Sequence, residues 1–169
     1  LGAPRLASAT NDATTVVTSS APSGFVPLDA TRSLFVATTP GEERELWVTD
    51  GTDAGTSLLL DVSPGPQAPG GVGKLIVWNG VGYFVGNDVV HGYEFWRTDG
   101  TRPGTRLVFD SVPGTPSGIF DIVPLDTQLL LSGQSGASQS WSVAISDGTT
   151  AGSRVVANLP GSPNGFTQL

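Results

Sequence analysis

The chain has 169 residues, with 23 Gly, 13 Pro, no Cys, 38% hydrophobic and only 14% charged residues. This length allows one sizeable core, the composition is typical of an all-β protein rich in turns, and the lack of cysteine excludes disulfides and thiolate metal sites. A formal net charge of −7 with eight Lys and Arg argues against binding nucleic acid or an anionic membrane through a basic surface. No apolar run is long enough for a transmembrane helix.

The predicted elements begin after residues 1–13, which show little pattern and are expected to form an irregular N-terminal segment. Residues 14–169 are the predicted repeat domain, and residues 14–18 (TTVVT) resemble a strand that closes a repeat. Apolar runs bounded by Gly, Pro, Asn and Asp then predict three sets of four short strands. These sets are residues 24–28, 34–37, 45–49 and 57–61; residues 74–78, 83–86, 93–98 and 105–110; and residues 119–124, 128–132, 142–146 and 154–158.

A heptapeptide recurs between the third and fourth predicted strands of each set. It reads DGTDAGT at residues 50–56, DGTRPGT at 99–105 and DGTTAGS at 147–153, with first residues 49 and 48 positions apart. A self-match at a period of this size marks a repeat architecture. Four short strands per period, joined by tight turns such as NGVG at residues 79–82, predict a propeller-type array of about three four-stranded antiparallel blades. A β-sandwich is the alternative all-β architecture.

Each heptapeptide is predicted to be a stapled hairpin loop. Its Asp accepts hydrogen bonds from backbone amides two or three residues on, its Gly allows a positive φ, and its Thr hydroxyl adds a weaker bond. The alternative is Ca²⁺ binding, but this ion takes about six to eight oxygen ligands, more than one short loop supplies. No metal or cofactor is therefore predicted. The predicted structural motif residues are Trp47, Asp50, Gly51, Thr52, Gly55, Trp96, Asp99, Gly100, Thr101, Gly104, Asp147, Gly148, Thr149 and Gly152.

The residues leading into the first heptapeptide, ELWVTDGT at 45–52, resemble the ELWxxDGT repeat proteins, large bacterial proteins whose repeats are thought to form β-propellers. The second copy, EFWRTDGT at 94–101, differs by Phe95, and the third, SVAISDGT at 142–149, has Ser142 in place of Glu and Ala144 in place of Trp. The resemblance spans about residues 14–169. It implies a propeller fold and an extracellular or cell-surface setting in a bacterium, and it implies almost no biochemistry.

Side-chain alternation along a strand gives the motif tryptophans a predicted role. Residues i and i+2 share one face, so Trp47 lies with Glu45 and Thr49, opposite Leu46 and Val48. When blades stack face to face both sides are buried, so Trp47 and Trp96 are predicted to pack between blades. The alternative is an exposed stacking platform for a sugar or another ligand. The third copy, with Ala144, is expected to meet a different neighbour or to be eroded.

Catalysis finds little support in the sequence, and no catalytic residue is predicted. A Ser-His-Asp device would have to use His91, the single histidine, which fits a turn or ligand role equally well. No phosphate loop, zinc motif or dinucleotide fingerprint is present. A glycosidase needs two carboxylates roughly 5–10 Å apart, for which the candidates are Asp29, Glu42, Glu43, Glu45, Asp88 and Glu94.

Two classes of function remain open. The first is a non-catalytic structural or protein-binding module, secreted or at the cell surface, without nucleic acid and without a transmembrane segment. The second is a carbohydrate-binding or carbohydrate-active propeller, lectin or hydrolase. A fold of this kind hosts both, so the two are to be separated by whether acidic and aromatic residues from different repeats converge on one exposed pocket.

The number of repeats leads to an expectation about completeness. Closed propellers have roughly four to eight blades, whereas this chain has three repeats and starts at Leu1 without a Met. The chain is therefore expected to belong to a longer polypeptide or to join other copies or other proteins. The expected joining strands are residues 14–18 and 154–158.

Overall fold

In the computed structural model of the protein, the described residues are 21–38, 44–63, 71–88, 90–113, 118–135 and 140–159. The predicted irregular segment 1–13, the predicted strand 14–18, and Glu42 and Glu43 lie outside these ranges. Within them the chain forms strands and turns and no helix, which confirms the all-β class. Accordingly, these ranges offer no helix with the length and apolarity to cross a membrane.

Twelve strands form three successive units. The first unit contains β1 (Ser23–Pro27), β2 (Ser33–Thr38), β3 (Arg44–Thr49) and β4 (Ser57–Leu60). The second contains β5 (Gly71–Trp78), β6 (Val81–Asn87), β7 (Tyr93–Thr98) and β8 (Arg106–Phe109). The third contains β9 (Ile119–Pro124), β10 (Leu129–Ser135), β11 (Ser140–Ser146) and β12 (Arg154–Leu159).

Within each unit, consecutive strands pair antiparallel. The first and second units are also joined at one place, where β3 pairs with β5 in parallel through Arg44 and Gly71. The described residues therefore form two sheets, one of eight strands and one of the four strands of the third unit.

Local sequence accounts for the tightest hairpin. Asn79 and Gly80 are the only two residues between β5 and β6, and both have positive φ, 52° and 74°. A two-residue loop of this kind matches the twist of paired strands and favours Asn followed by Gly. The turn predicted at residues 79–82 is therefore present but two residues shorter, because Val81 and Gly82 already pair with β5.

Each unit has two apolar faces, which we name by the neighbour they meet. The forward face of one unit packs on the backward face of the next. In the first unit, Leu34, Leu46 and Val48 share a buried cluster with Val72 and Phe84 of the second unit. In the second unit, Tyr83, Val85 and Phe95 share a cluster with Ile122, Leu129 and Leu131 of the third. The core is thus two face-to-face layers between three stacked units.

Polar contacts also join neighbouring units. Arg32 lies in the β1–β2 loop of the first unit and donates to the carbonyl oxygens of Asp99 (3.3 Å) and Gly100 (3.4 Å) in the second. In the next pair, Trp78 Nε1 donates to the Leu125 carbonyl at 3.1 Å, and Lys74 lies 3.4 Å from Asp121. At each interface, a residue in or next to the loop between the first two strands, Arg32 or Trp78, therefore donates to a loop carbonyl of the following unit.

Candidate functional site: the DGT loops and the motif side chains

The loop between β3 and β4 is held by its own side chains. Asp50 Oδ1 accepts hydrogen bonds from the backbone N (2.9 Å) and the hydroxyl (2.7 Å) of Thr52. The Thr52 hydroxyl in turn accepts from the backbone N of Gly55 at 3.0 Å. The Thr56 hydroxyl donates to the Thr52 carbonyl at 2.6 Å and lies 2.7 Å from the hydroxyl of Thr49. Each donor therefore has a partner within about seven residues of chain.

The other two loops repeat these bonds. Asp99 and Asp147 accept from Thr101 and Thr149 at 2.6 to 2.9 Å, in the same atoms as in the first loop. This is the arrangement that the turn-staple interpretation predicts. The remaining loop contacts are the same in all three copies, with Thr98, Gly104, Thr105, Ser146, Gly152 and Ser153 in the equivalent places.

Two glycines of each loop are required by the geometry. The second residue has a left-handed backbone, with φ of 89° at Gly51, 83° at Gly100 and 88° at Gly148, a region that side chains with a Cβ disfavour. The sixth residue lies under the Asp side chain. A Cβ on Gly55 or Gly104 would lie 2.0 Å from an oxygen of that carboxylate. The spacing of Asp and Gly in the motif therefore follows from this contact.

The loop carboxylates are held in the ionised form. Hydrogen bonds from the Thr hydroxyl first, and from the Thr backbone amide second, lower the pKa of Asp50 and Asp147, and the Thr101 hydroxyl does the same for Asp99. Among the described residues, no group of three or more His, Cys, Asp or Glu side chains lies close enough together to hold a metal ion.

The glycine at the second residue of the heptapeptide lies close to the preceding unit in two of the three loops. A Cβ on Gly100 would lie 2.6 Å from Leu28 of the first unit, and one on Gly148 would lie 2.1 Å from the Tyr83 hydroxyl of the second. By contrast, nothing lies within 4 Å of a Cβ built on Gly51. The first loop therefore has the same conformation as the other two without the contact from a preceding unit.

The motif tryptophans occupy equivalent strand positions in unequal surroundings. Each ring lies 6.1 Å from a phenylalanine of the adjacent strand, Trp47 from Phe35 and Trp96 from Phe84. Trp96 is partly buried and packs against the cluster between the first and second units. Trp47 is buried, but its described neighbours all belong to the first unit, on its backward face. The prediction that both rings lie between two units therefore holds for Trp96 and is not met by Trp47 within the described residues.

Ala144, which takes the Trp position in the third unit, is fully buried between units. Its cluster includes Tyr83 and Phe95 of the second unit, whose rings stack 5.4 Å apart. Where Trp96 packs, the opposing unit presents the smaller Leu34 and Leu46. At the second interface the large rings, Tyr83 and Phe95, therefore belong to the opposing unit, and a small residue fits at position 144. This packing explains Ala144 better than loss of the repeat pattern does.

Sequence reasoning missed the role of the motif glutamates. Glu45 is fully buried and accepts from the backbone N of Val62 at 2.6 Å. Glu94 is also fully buried and accepts from Ser111 N at 2.8 Å, again 17 residues on. Burial first, and the nearby Asp110 and Asp88 to a smaller extent, raise the pKa of Glu94 from its usual 4.5 to about 8, against the opposing effect of the Ser111 bonds. A motif Glu on the same face as Trp was the available signal that this carboxyl is internal.

His91 lies in the loop before β7 and contacts Asp88 of the same loop. Its Nδ1 is 2.6 Å from Asp88 Oδ2, while Asp88 Oδ1 accepts from the His91 backbone N at 2.7 Å. This contact corresponds to the turn role. Asp29 also bonds within its own loop, where it accepts hydrogen bonds from the backbone N of Thr31 and of Arg32. These bonds hold its pKa well below the usual range.

A surface aromatic cluster was also missed by the sequence reasoning. Tyr93, which begins β7, lies 5.5 Å from Phe120 in β9, and Phe120 lies 6.0 Å from Trp141 in β11. Phe120 is exposed and the other two rings are half-buried. These rings come from two different units and carry no shared motif, so only the tertiary structure brings them together.

Comparison with protein-family models, with curated proteins and with solved structures yields no match for this chain.

Proposed function

We propose that this chain is a non-catalytic repeat module with a structural or protein-binding role, working outside the cell or at its surface. The observation that carries the proposal is the use of the repeated polar residues. The three loop aspartates each accept hydrogen bonds from their own loop. The buried Glu45 and Glu94 each accept a hydrogen bond from a backbone amide of the same unit. Residues engaged in this way stabilise a scaffold.

The finer architecture belongs to the same proposal. The three units are blades of a propeller-type array, and a β-sandwich remains the alternative. Support comes from the repeated forward-to-backward packing and from loops of one type recurring in every unit. The resemblance of ELWVTDGT and EFWRTDGT to the ELWxxDGT repeat proteins supports the propeller, a bacterial source and the extracellular setting. The partners are other protein subunits or further blades.

The test uses two matched variants, Glu94→Gln and Glu45→Gln, which alter the same motif position in two units. The purified chain and both variants are assayed for hydrolysis of a panel of glycosides and polysaccharides. We expect no hydrolysis by any of them, and we expect both variants to fold. Hydrolysis that is lost in Glu94→Gln and retained in Glu45→Gln would overturn the non-catalytic proposal, because a purely structural pair should behave alike.

The location is tested separately by cell fractionation with an antibody against the chain. We expect the protein in the medium or on the outer surface of intact cells. Recovery only from the interior of lysed cells would contradict the proposed setting.

The aromatic cluster favours a second candidate, a carbohydrate-binding module. Tyr93, Phe120 and Trp141 present rings from two units, and exposed rings stack on the apolar faces of sugars in the same way as on other flat apolar groups. If this candidate is right, soluble oligosaccharides should change the tryptophan fluorescence and Phe120→Ala should abolish the change. Phe25→Ala, an exposed phenylalanine in the first unit, is the matched control and should not affect it.

A further inference from the structure

The chain enters the third unit directly against the carboxyl group of Glu94. Gly118 is the residue before β9, and a Cβ built on it would overlap both Glu94 Oε1 and the carbonyl oxygen of Tyr93. Only a residue without a side chain allows the backbone to approach so closely. Glu94 is therefore enclosed by the junction between the second and third units as well as by its own unit.

The same glycine is connected to the rest of the third unit. Its carbonyl oxygen accepts a hydrogen bond from the backbone N of Gln134 at 2.9 Å, and Gln134 pairs with Trp141 on the adjacent strand. Two residues after Gly118, the ring of Phe120 lies between those of Tyr93 and Trp141. A displacement of Gly118 would therefore affect the Gln134 amide and the surface aromatic cluster together.

Among the described residues, no Lys or Arg forms an ion pair with Glu94. The hydrogen bonds to its carboxyl oxygens come from Ser111, whose backbone N and hydroxyl lie at 2.8 Å and 3.4 Å. A charge buried without a counter-ion is so costly that such a group takes its neutral form instead. The closed junction therefore holds the protonated carboxyl, and burial raises the pKa of Glu94 to about 8.

The charged groups near the junction strengthen this preference for the neutral form. Asp110 follows β8 and Asp88 precedes β7, and both carboxylates add to the effect of burial on the pKa of Glu94. The titratable side chains on the flanking elements form pairs of their own, namely His91 with Asp88 and Lys74 with Asp121. An ionised Glu94 would thus meet two like charges while enclosed in the fold.

We propose that Glu94 is a pH-sensitive switch at the junction between the second and third units. While its carboxyl is protonated, Gly118 stays packed against it. When the carboxyl ionises, Gly118 moves away, water reaches the carboxylate, and the hydrogen bond from Gln134 to Gly118 opens. The closed form holds one proton more than the open form, so the open population rises with pH up to the folded-state pKa and levels off above it.

This switch goes beyond the proposed function, because it requires neither a partner nor a substrate. It is tested by amide hydrogen exchange of the full chain, in which each rate is divided by the intrinsic rate at the same pH to give an opening constant. We expect the opening constant of the Gln134 amide to rise about tenfold per pH unit between about pH 5 and pH 8. It should also exceed that of Leu131 on the same strand, because the opening is local.

The variants assign the proton to one carboxyl. Glu94→Gln keeps the size of the side chain and cannot ionise, so the opening constant of Gln134 should lose its dependence on pH. Glu94→Ser introduces the residue type that the third unit has at Ser142, and it should have the same effect. Glu45→Gln, at the same motif position of the first unit, is the matched control and should retain the dependence.

A change in the aromatic cluster separates packing from titration. Phe120→Ala removes the ring contact with Tyr93 and no titratable group, so it should raise the opening constant of Gln134 by a similar factor at every pH.

Three results would overturn the inference. The first is an opening constant of Gln134 that does not change with pH. The second is a dependence on pH that persists in both Glu94→Gln and Glu94→Ser. The third is an equal opening constant for Gln134 and Leu131, which would show that Glu94 is released only when the whole unit unfolds.

Discussion

The first and third units differ in sequence in a way that separates two kinds of structural requirement. Their heptapeptide loops make the same hydrogen bonds, in the same atoms, although the residues before them have changed from Glu45 and Trp47 to Ser142 and Ala144. The loop is self-contained because its donors and acceptors lie within seven residues. The strand side chains are different, because the residue that fits depends on what the adjoining unit presents.

Among these predictions, replacing the motif tryptophan should have the largest effect on stability. Trp47→Ala removes a buried ring stacked on Phe35, and we expect it to lower the free energy of unfolding by about 3–5 kcal/mol. Trp96→Ala should cost less, because that ring is only partly buried. Urea unfolding measures both. Trp141→Ala, at a half-buried surface ring, is the control, and a loss as large as that of Trp47→Ala there would contradict the assignment.

A pair of glycine substitutions tests whether the neighbour or the backbone matters more. Gly51→Ala and Gly148→Ala change the same motif position with nearly the same φ. Gly51→Ala should cost about 1 kcal/mol for the left-handed conformation alone. Gly148→Ala should cost about 2–4 kcal/mol, because its Cβ also meets the hydroxyl of the buried, stacked Tyr83. Equal losses for the two, measured by thermal unfolding, would show that the unit-to-unit contact at this position is unimportant.

The buried glutamate of the second unit should make stability depend on pH. The folded-state pKa of Glu94 is raised to about 8, so its contribution is fully present below the ordinary pKa and is lost as the pH rises through the folded value. Between about pH 5 and pH 7 this loss should amount to roughly 2–3 kcal/mol. Glu94→Gln should flatten the dependence over this range. An unchanged slope of unfolding free energy against pH in that variant would refute the buried-carboxyl assignment.

Removing the loop aspartates should produce the smallest and most uniform effect. Asp50→Ala, Asp99→Ala and Asp147→Ala each delete the same two bonds within one loop, so their melting temperatures should fall by similar, modest amounts. Since hydrogen bonding lowers the pKa of these groups, the stability they supply is present above the unfolded pKa and is lost as the pH falls through the folded value. A melting temperature that fell much further in one variant than in the other two would show that its loop is not self-contained.

Calcium offers a last way to sharpen the comparison. If the loops are staples, saturating Ca²⁺ should leave the melting temperature unchanged, because a ligand that binds the folded state raises it. The control is the Asp99→Ala variant under the same conditions. A rise in melting temperature in the unaltered chain that is lost in Asp99→Ala would establish an ion site.

The places where sequence prediction failed show what short patterns omit. Strand β5 begins at Gly71, three residues before the predicted start, because Gly71 and Val72 pair with Asn87 and Gly86 across the sheet. Such pairing depends on the partner strand and not on the apolar run at residues 74–78. Similarly, nothing in the order of residues brings Tyr93, Phe120 and Trp141 together.

The sequence by itself determined the features that depend on residues close together in the chain. These are the repeat of about 48 residues, the four strands of each unit, the Asn79 and Gly80 turn and the Asp, Thr and Gly positions of each loop, because hydrogen bonds within a turn span only a few residues. The tertiary structure decided which faces are covered, that Glu45 and Glu94 are internal, that Ala144 fits beside Tyr83 and Phe95, and that Trp47 packs against side chains of its own unit. These properties depend on side chains from different units, and close packing ties the size of each to the neighbour it meets.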